Sequence, residues 1–170
     1  MKIRTTITAV TAVATASALA GAAGGSAAEP ASVCNWGGTP LAPTGRVTIS
    51  PGLNNTPAAA PLKFRATGRL AGGGRCKGRM TFVGHIEAGS SCALATFAGR
   101  VYGVPGVFRF WGKGNALVHE FLYDRRGNVV GADQPLVSPP SNDPAFTACN
   151  TPEGVTSVGF SSRVEFFARR

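Results

Sequence analysis

The sequence predicts an all-β domain, an antiparallel β-sandwich or barrel of about eight strands with two disulfides, and three observations carry the prediction. Apolar and polar residues alternate over five to eleven positions at a time, and after the leader no stretch sustains a 3.6-residue apolar period. Twelve prolines and 23 glycines punctuate the 170-residue chain at short intervals. Four cysteines, Cys34, Cys76, Cys92 and Cys149, all follow the leader.

The leader is residues 1–28, which have the layout of a secretory signal peptide. Lys2 and Arg4 open it, an uncharged run of small and apolar residues spans 7–23, and Ser26-Ala27-Ala28 offers the small side chains a signal peptidase reads. The run is diluted by Thr and Gly and falls short of the roughly 20 strongly apolar residues a membrane span needs. No later stretch is apolar enough to span, and no cysteine follows the cleavage site directly, so neither an integral anchor nor a lipoprotein is expected. Cleavage before Glu29 leaves residues 29–170 as one secreted, extracellular domain of 142 residues, enough to bury a core. The mature chain keeps 15 basic residues against eight acidic ones, a net charge of +7. Such an excess draws the protein toward acidic cell-wall polymer, polysaccharide or extracellular nucleic acid.

Eight strand candidates follow in order, at residues 46–50, 62–70, 77–87, 92–102, 107–112, 116–123, 128–132 and 158–167. Tight Gly-, Ser- and Asp-containing turns link the third to the seventh. Between the last two candidates, residues 134–152 contain Pro135, Pro139, Pro140, Pro144 and Pro152, which argue for a long surface loop, tied down by Cys149.

Export with an even cysteine count reads as two disulfides, and no close Cys pair or neighbouring histidine suggests a metal site. If successive strands are antiparallel, Cys76 and Cys92 lie at opposite ends of one strand, roughly 35 Å apart at about 3.3 Å per residue. A disulfide needs Cα atoms within about 7 Å. The same up-and-down count puts Cys34 at the Cys76 end and Cys149 at the Cys92 end, which selects Cys34–Cys76 and Cys92–Cys149.

The count also sorts charge. Arg46, Arg69, Arg75, Lys77, Arg100, Arg125 and Arg126 fall toward one end, beside the backbone N–H groups of Gly72-Gly73-Gly74, with Asp124 as the opposing acid there. Arg75, Lys77, Arg125 and Arg126 form the candidate anion patch. In the segment Val107-Phe108-Arg109-Phe110-Trp111-Gly112, alternation buries Phe108 and Phe110 and turns Arg109 and Trp111 outward together, a candidate platform for a sugar ring or base. Trp36 is expected to pack against the disulfide of Cys34.

Catalytic chemistry is poorly represented. His85 with Glu87 and His119 with Glu120 are the pairs that would supply a base and its carboxylate in a small hydrolase, yet neither has a nucleophile placed beside it. No cofactor or metal is expected.

The runs Leu62-Lys63-Phe64-Arg65-Ala66-Thr67-Gly68, Gly74-Arg75-Cys76-Lys77-Gly78, Gly84-His85-Ile86-Glu87 and Gly103-Val104-Pro105-Gly106 through Trp111 and Gly112 resemble a group of small secreted actinobacterial proteins of unassigned function. The resemblance covers most of the mature chain. It implies export and an all-β domain and supplies no catalytic residue. In size and disulfide count the chain is also similar to the neocarzinostatin-like chromoprotein carriers and the subtilisin-inhibitor family, but it lacks their cysteine spacings. Together these features favour a non-enzymatic binding or cell-surface protein with affinity for anionic polymers, with a secreted hydrolase or inhibitor as the alternatives. An inhibitor would need the loop at 134–144 to be rigid and extended.

Overall fold

The computed structural model describes residues 30–137 and 147–168. The leader at 1–28 and much of the proline-rich segment, with Pro139, Pro140 and Pro144, lie outside the described residues.

Eight long strands form an up-and-down barrel: β4 (Gly45–Leu53), β5 (Leu62–Gly72), β6 (Arg79–Ile86), β7 (Ala95–Tyr102), β8 (Arg109–Gly114), β9 (Val118–Tyr123), β10 (Val129–Val137) and β11 (Val155–Phe167). Each pairs antiparallel with the next, and β11 returns to pair with β4, which closes the sheet and removes its edges. All eight sequence candidates are found as strands. Three short strands escaped the sequence reading: β1 (Pro30–Trp36), β2 (Gly38–Thr39) and β3 (Ala42–Pro43). β1 lies between β11 and β5 at one end, with Cys34 opposite both Val164 and Gly72, while β4 fills the same slot further along. One position in the barrel is thus shared by two half-strands. Arg46 consequently sits part-way along the barrel, opposite Thr67 and Gly159, rather than at the end where hairpin counting put it.

Both bridges form as expected, Cys34–Cys76 with Cα atoms 5.2 Å apart and Cys92–Cys149 at 6.1 Å, one at each end. We call the Cys34–Cys76 end the base and the Cys92–Cys149 end the mouth.

The proline argument fails at Pro135. This residue is buried within β10 and paired with Ser162 of β11, and the strand runs on to Val137. Val137 N–H bonds the Ala116 carbonyl on the β9 side, so by two-residue alternation Pro135 also turns its nitrogen toward β9. There the ladder is interrupted between the pair Asp133–Glu120 and the isolated bridge Leu117–Leu136. The missing N–H costs one bond in a gap, and pairing with β11 is untouched.

Alternation decides what the interior contains. On β5, Leu62, Phe64, Ala66, Gly68 and Leu70 face in, while Lys63, Arg65 and Arg69 face out. An apolar interior with charged outer positions suits a barrel that faces water, the reverse of the membrane-barrel pattern. Trp36 is fully buried and packs between Phe82 and Phe160, with ring centroids at 4.6 and 4.5 Å. Its indole N–H reaches the Gly68 and Met80 carbonyls at 3.2 and 3.1 Å. Gly68 is required beside it, since a Cβ there would lie 2.9 Å from Trp36 Nε1. Phe82 in turn stacks on Phe110 at 4.4 Å.

Candidate functional site in the barrel interior

On the mouth side several inward positions are small, Ala95 on β7, Val118 on β9, and Val155 and Val158 on β11, among larger ones such as Phe64 on β5 and Phe97 on β7. Eight strands enclose just enough width for side chains or one small ligand. With small side chains at that level, a cavity of about 100 Å³ remains. Trp36, Phe64, Phe82, Phe97 and Phe160 form much of its wall, and it reaches to Ser91, Cys92, Asn115 and Cys149 near the mouth. No Lys, Arg or His side chain lines it among the described residues.

One acid does. Glu120 shares the inward face of β9 with Val118 and Leu122, lines the cavity and is only 4% exposed. Directly opposite on β10 stands Asp133, 1% exposed. Ser162 Oγ donates to Asp133 Oδ1, and the Gln134 backbone N–H also supports this carboxylate. Glu120 Oε2 and Asp133 Oδ2 receive no N–H or O–H from the other described residues. A proton held between the two carboxyls is the internal remedy, with Glu120 as its donor. Burial, and then the neighbouring Asp133, hold the Glu120 carboxyl well above the usual carboxylate range. Burial likewise pushes Asp133 up to about 7, against the lowering effect of its hydrogen bonds from Ser162 and Glu120. On β8, Gly112 makes the space, since a Cβ there would collide with Glu120 Cγ.

The sequence reading did not select this pair. Glu120 enters it only as a neighbour of His119. The available signal was parity: Glu120 alternates in step with Val118 and Leu122, and Asp133 with Gly131 and Pro135, so each belongs to a buried face. The histidines are outside. His85 and His119 are both exposed, and His119 Nδ1 lies 3.3 Å from Gln134 Nε2. Neither lines the cavity.

At the base, the structure gathers part of the basic patch. Arg125 and Arg126 occupy the β9–β10 turn, which Asp124 orders by accepting from the Arg126 and Asn128 backbone N–H groups at 2.8 and 2.9 Å. Hydrogen bonds from Asn128 and Arg126 hold the Asp124 carboxyl below its ordinary range. Arg125 and Arg100 lie 5.4 and 5.6 Å from the Phe108 ring centroid, so Phe108 is half-buried under guanidinium groups rather than inside the barrel. An open cleft of about 1080 Å³ is lined by Arg100, Pro105, Phe108, Arg125 and Arg126. Arg75 reaches its rim, bonding the Pro105 carbonyl at 2.7 Å and covering the Phe166 ring at 4.8 Å. Lys77 is exposed in the turn after Cys76 and is not among the residues lining the cleft. Arg109 and Trp111 face outward as expected, with Trp111 39% exposed and paired across the ladders with Ala98 and Phe121.

No protein-family model, curated protein or solved structure matches the chain.

Proposed function

We propose that this protein is an exported binding protein that holds a small, mainly apolar molecule inside its barrel. The observation that carries this function is the apolar cavity of about 100 Å³ that runs from Glu120 toward the mouth. A void lined by aromatic and aliphatic groups forfeits dispersion contacts, and a ligand that restores them is held with little rearrangement. Benzene fits an apolar cavity of roughly 150 Å³ in another protein, so a single ring or the end of a longer chain is the right scale. The two disulfides suit an oxidising compartment and hold both barrel ends, with Cys92–Cys149 at the mouth itself.

The test uses the two tryptophans. Trp36 walls the cavity and Trp111 lies outside, so a Trp111→Phe variant reports on the interior alone. Titration with toluene and benzyl alcohol should shift and saturate Trp36 emission. Ala95→Leu, which fills the cavity from β7, should abolish the response. An unchanged emission across this series, or an equal response in Ala95→Leu, refutes interior binding.

A second function is favoured by a separate observation, the two guanidinium groups held over Phe108 beside Arg126. This cleft supports salt-sensitive binding of an anionic polymer at the base. The two functions use opposite ends and do not exclude one another.

A further inference from the structure

We propose that the interior site takes a small organic ammonium ion, an amine with a ring-sized apolar body, whose N–H groups dock on Glu120, the cavity-lining member of the Glu120–Asp133 carboxyl pair. The proposal rests on interior binding as argued above and names the chemistry of its ligand.

Three features of the site converge on a cation. First, the two carboxyls hold one buried acceptor each, Glu120 Oε2 and Asp133 Oδ2, that the other described residues leave without a donor. A shared proton satisfies the contact between them but, once Asp133 ionises, leaves one negative charge in an apolar interior. Isolated buried charge is among the costliest arrangements a fold can contain unless something pairs with it.

Second, no cation among the described residues faces the pair. Facing the pair from β8 are Gly112 and Phe110, and from β11 Ser162 and Val164, none of them charged. Arg163 and Glu165 of β11 form an ion pair with each other at 3.1 Å, and their side chains are 65% and 34% exposed. His119 and Gln134, the neighbours of Glu120 and Asp133 in sequence, are both exposed. At the base, Arg75 lies against Phe166 and Pro105, and Arg100 and Arg125 lie over Phe108.

Third, the wall opposite the carboxyls is aromatic. Phe64 and Phe97 lie 5.2 Å apart near the mouth, and Trp36 and Phe82 lie deeper. Ring faces attract cations as well as apolar bodies, so the same wall serves both halves of an arylalkyl or alicyclic amine. An ammonium group supplies up to three N–H donors and cancels the charge, which no neutral ligand does.

Neutral molecules remain the competing occupants, and the sign of the pH effect separates them. An ammonium ion prefers the ionised pair, so its binding expels a proton and tightens as pH rises through the range in which Asp133 ionises. A neutral hydrogen-bond acceptor prefers the protonated pair and loosens over the same range. Benzylamine, benzyl alcohol and toluene share one ring and differ at the group that would meet Glu120.

The experiment is calorimetric titration of the wild-type protein with these three probes at pH 6 and pH 8, in buffers of different ionisation enthalpy. Expected are a benzylamine affinity at least about tenfold above that of benzyl alcohol at pH 8, tighter benzylamine binding at pH 8 than at pH 6, and proton release on binding. In the double variant Glu120→Gln with Asp133→Asn, its fold checked by the melting transition, the benzylamine preference should vanish. Toluene or benzyl alcohol binding as tightly as benzylamine, or benzylamine weakening as pH rises, overturns the ammonium assignment while leaving interior binding intact. Binding of none of the three overturns interior binding, and the assignment with it.

Discussion

Glu120 and Asp133 stand directly opposite one another across β9 and β10, two carboxyls on the inward faces of an apolar barrel. Their position has consequences for stability that can be measured without knowing the ligand.

Stability should fall as pH rises from mildly acidic to alkaline. Asp133 is pushed from an ordinary 3.8 up to about 7 by burial, and Glu120 is raised well above its usual range. Between those limits the folded protein keeps protons that the unfolded chain has released. Deprotonation therefore favours unfolding, and the stabilisation present below about pH 4 is lost progressively through pH 7 and above, by on the order of a few kcal/mol. Asp124 works in the opposite sense at low pH, because its carboxyl is held below the ordinary range. Urea unfolding at pH 5, 7 and 9 should give the highest midpoint at pH 5, and the Glu120→Gln, Asp133→Asn protein should have a flatter profile. A midpoint that climbs from pH 5 to pH 9 would show that the pair is not buried as described.

Gly112→Ala should destabilise the barrel by about 1–3 kcal/mol, because the new methyl meets the Glu120 side chain within a closed sheet. Combining it with Glu120→Ala should recover part of that loss. Chemical denaturation of the single and double variants measures the coupling, and strictly additive losses would separate the two residues.

Reduction should cost stability at both ends. The Cys34–Cys76 bridge joins residues 42 apart in sequence and Cys92–Cys149 joins residues 57 apart, each worth about 3–5 kcal/mol by the loop-entropy account. Non-reducing peptide mapping should recover these two pairs, and a peptide linking Cys76 to Cys92 would contradict the strand order. Replacing Cys92 and Cys149 together should loosen the mouth and change cavity binding more than replacing Cys34 and Cys76.

The basic base can be tested by salt. Replacing Arg75, Lys77, Arg125 and Arg126 by Gln should weaken binding to an anionic polymer and reduce its salt slope by up to about one unit per lost phosphate contact. Arg75→Gln alone should also lower stability measurably, since its guanidinium covers Phe166 and bonds the Pro105 carbonyl. Lys77→Gln, an exposed position, should leave folding unchanged. A fourfold variant with unaltered binding and salt slope would leave this charge without a binding role.

The sequence by itself determined the local order. Two-residue alternation marks a strand wherever one face is buried, and a tight turn reverses the chain, so eight strands and the end at which each cysteine lies follow without any distance information. That parity was sufficient to pair Cys34 with Cys76 and Cys92 with Cys149. It could not decide whether the sheet closes, because closure depends on β11 meeting β4 about a hundred residues away in sequence. Nor could it see that β1 and β4 divide one slot, which moved Arg46 off the base, or that Pro135 would sit where β9 leaves a gap. The acid pair is the clearest case. In sequence Glu120 and Asp133 resemble any solvated carboxylates, 13 residues apart and on different strands. Only the register of β9 on β10, and the small residues that hollow the barrel on the mouth side, bring them together beside an apolar cavity, because burial is a property of the closed surface and not of either residue.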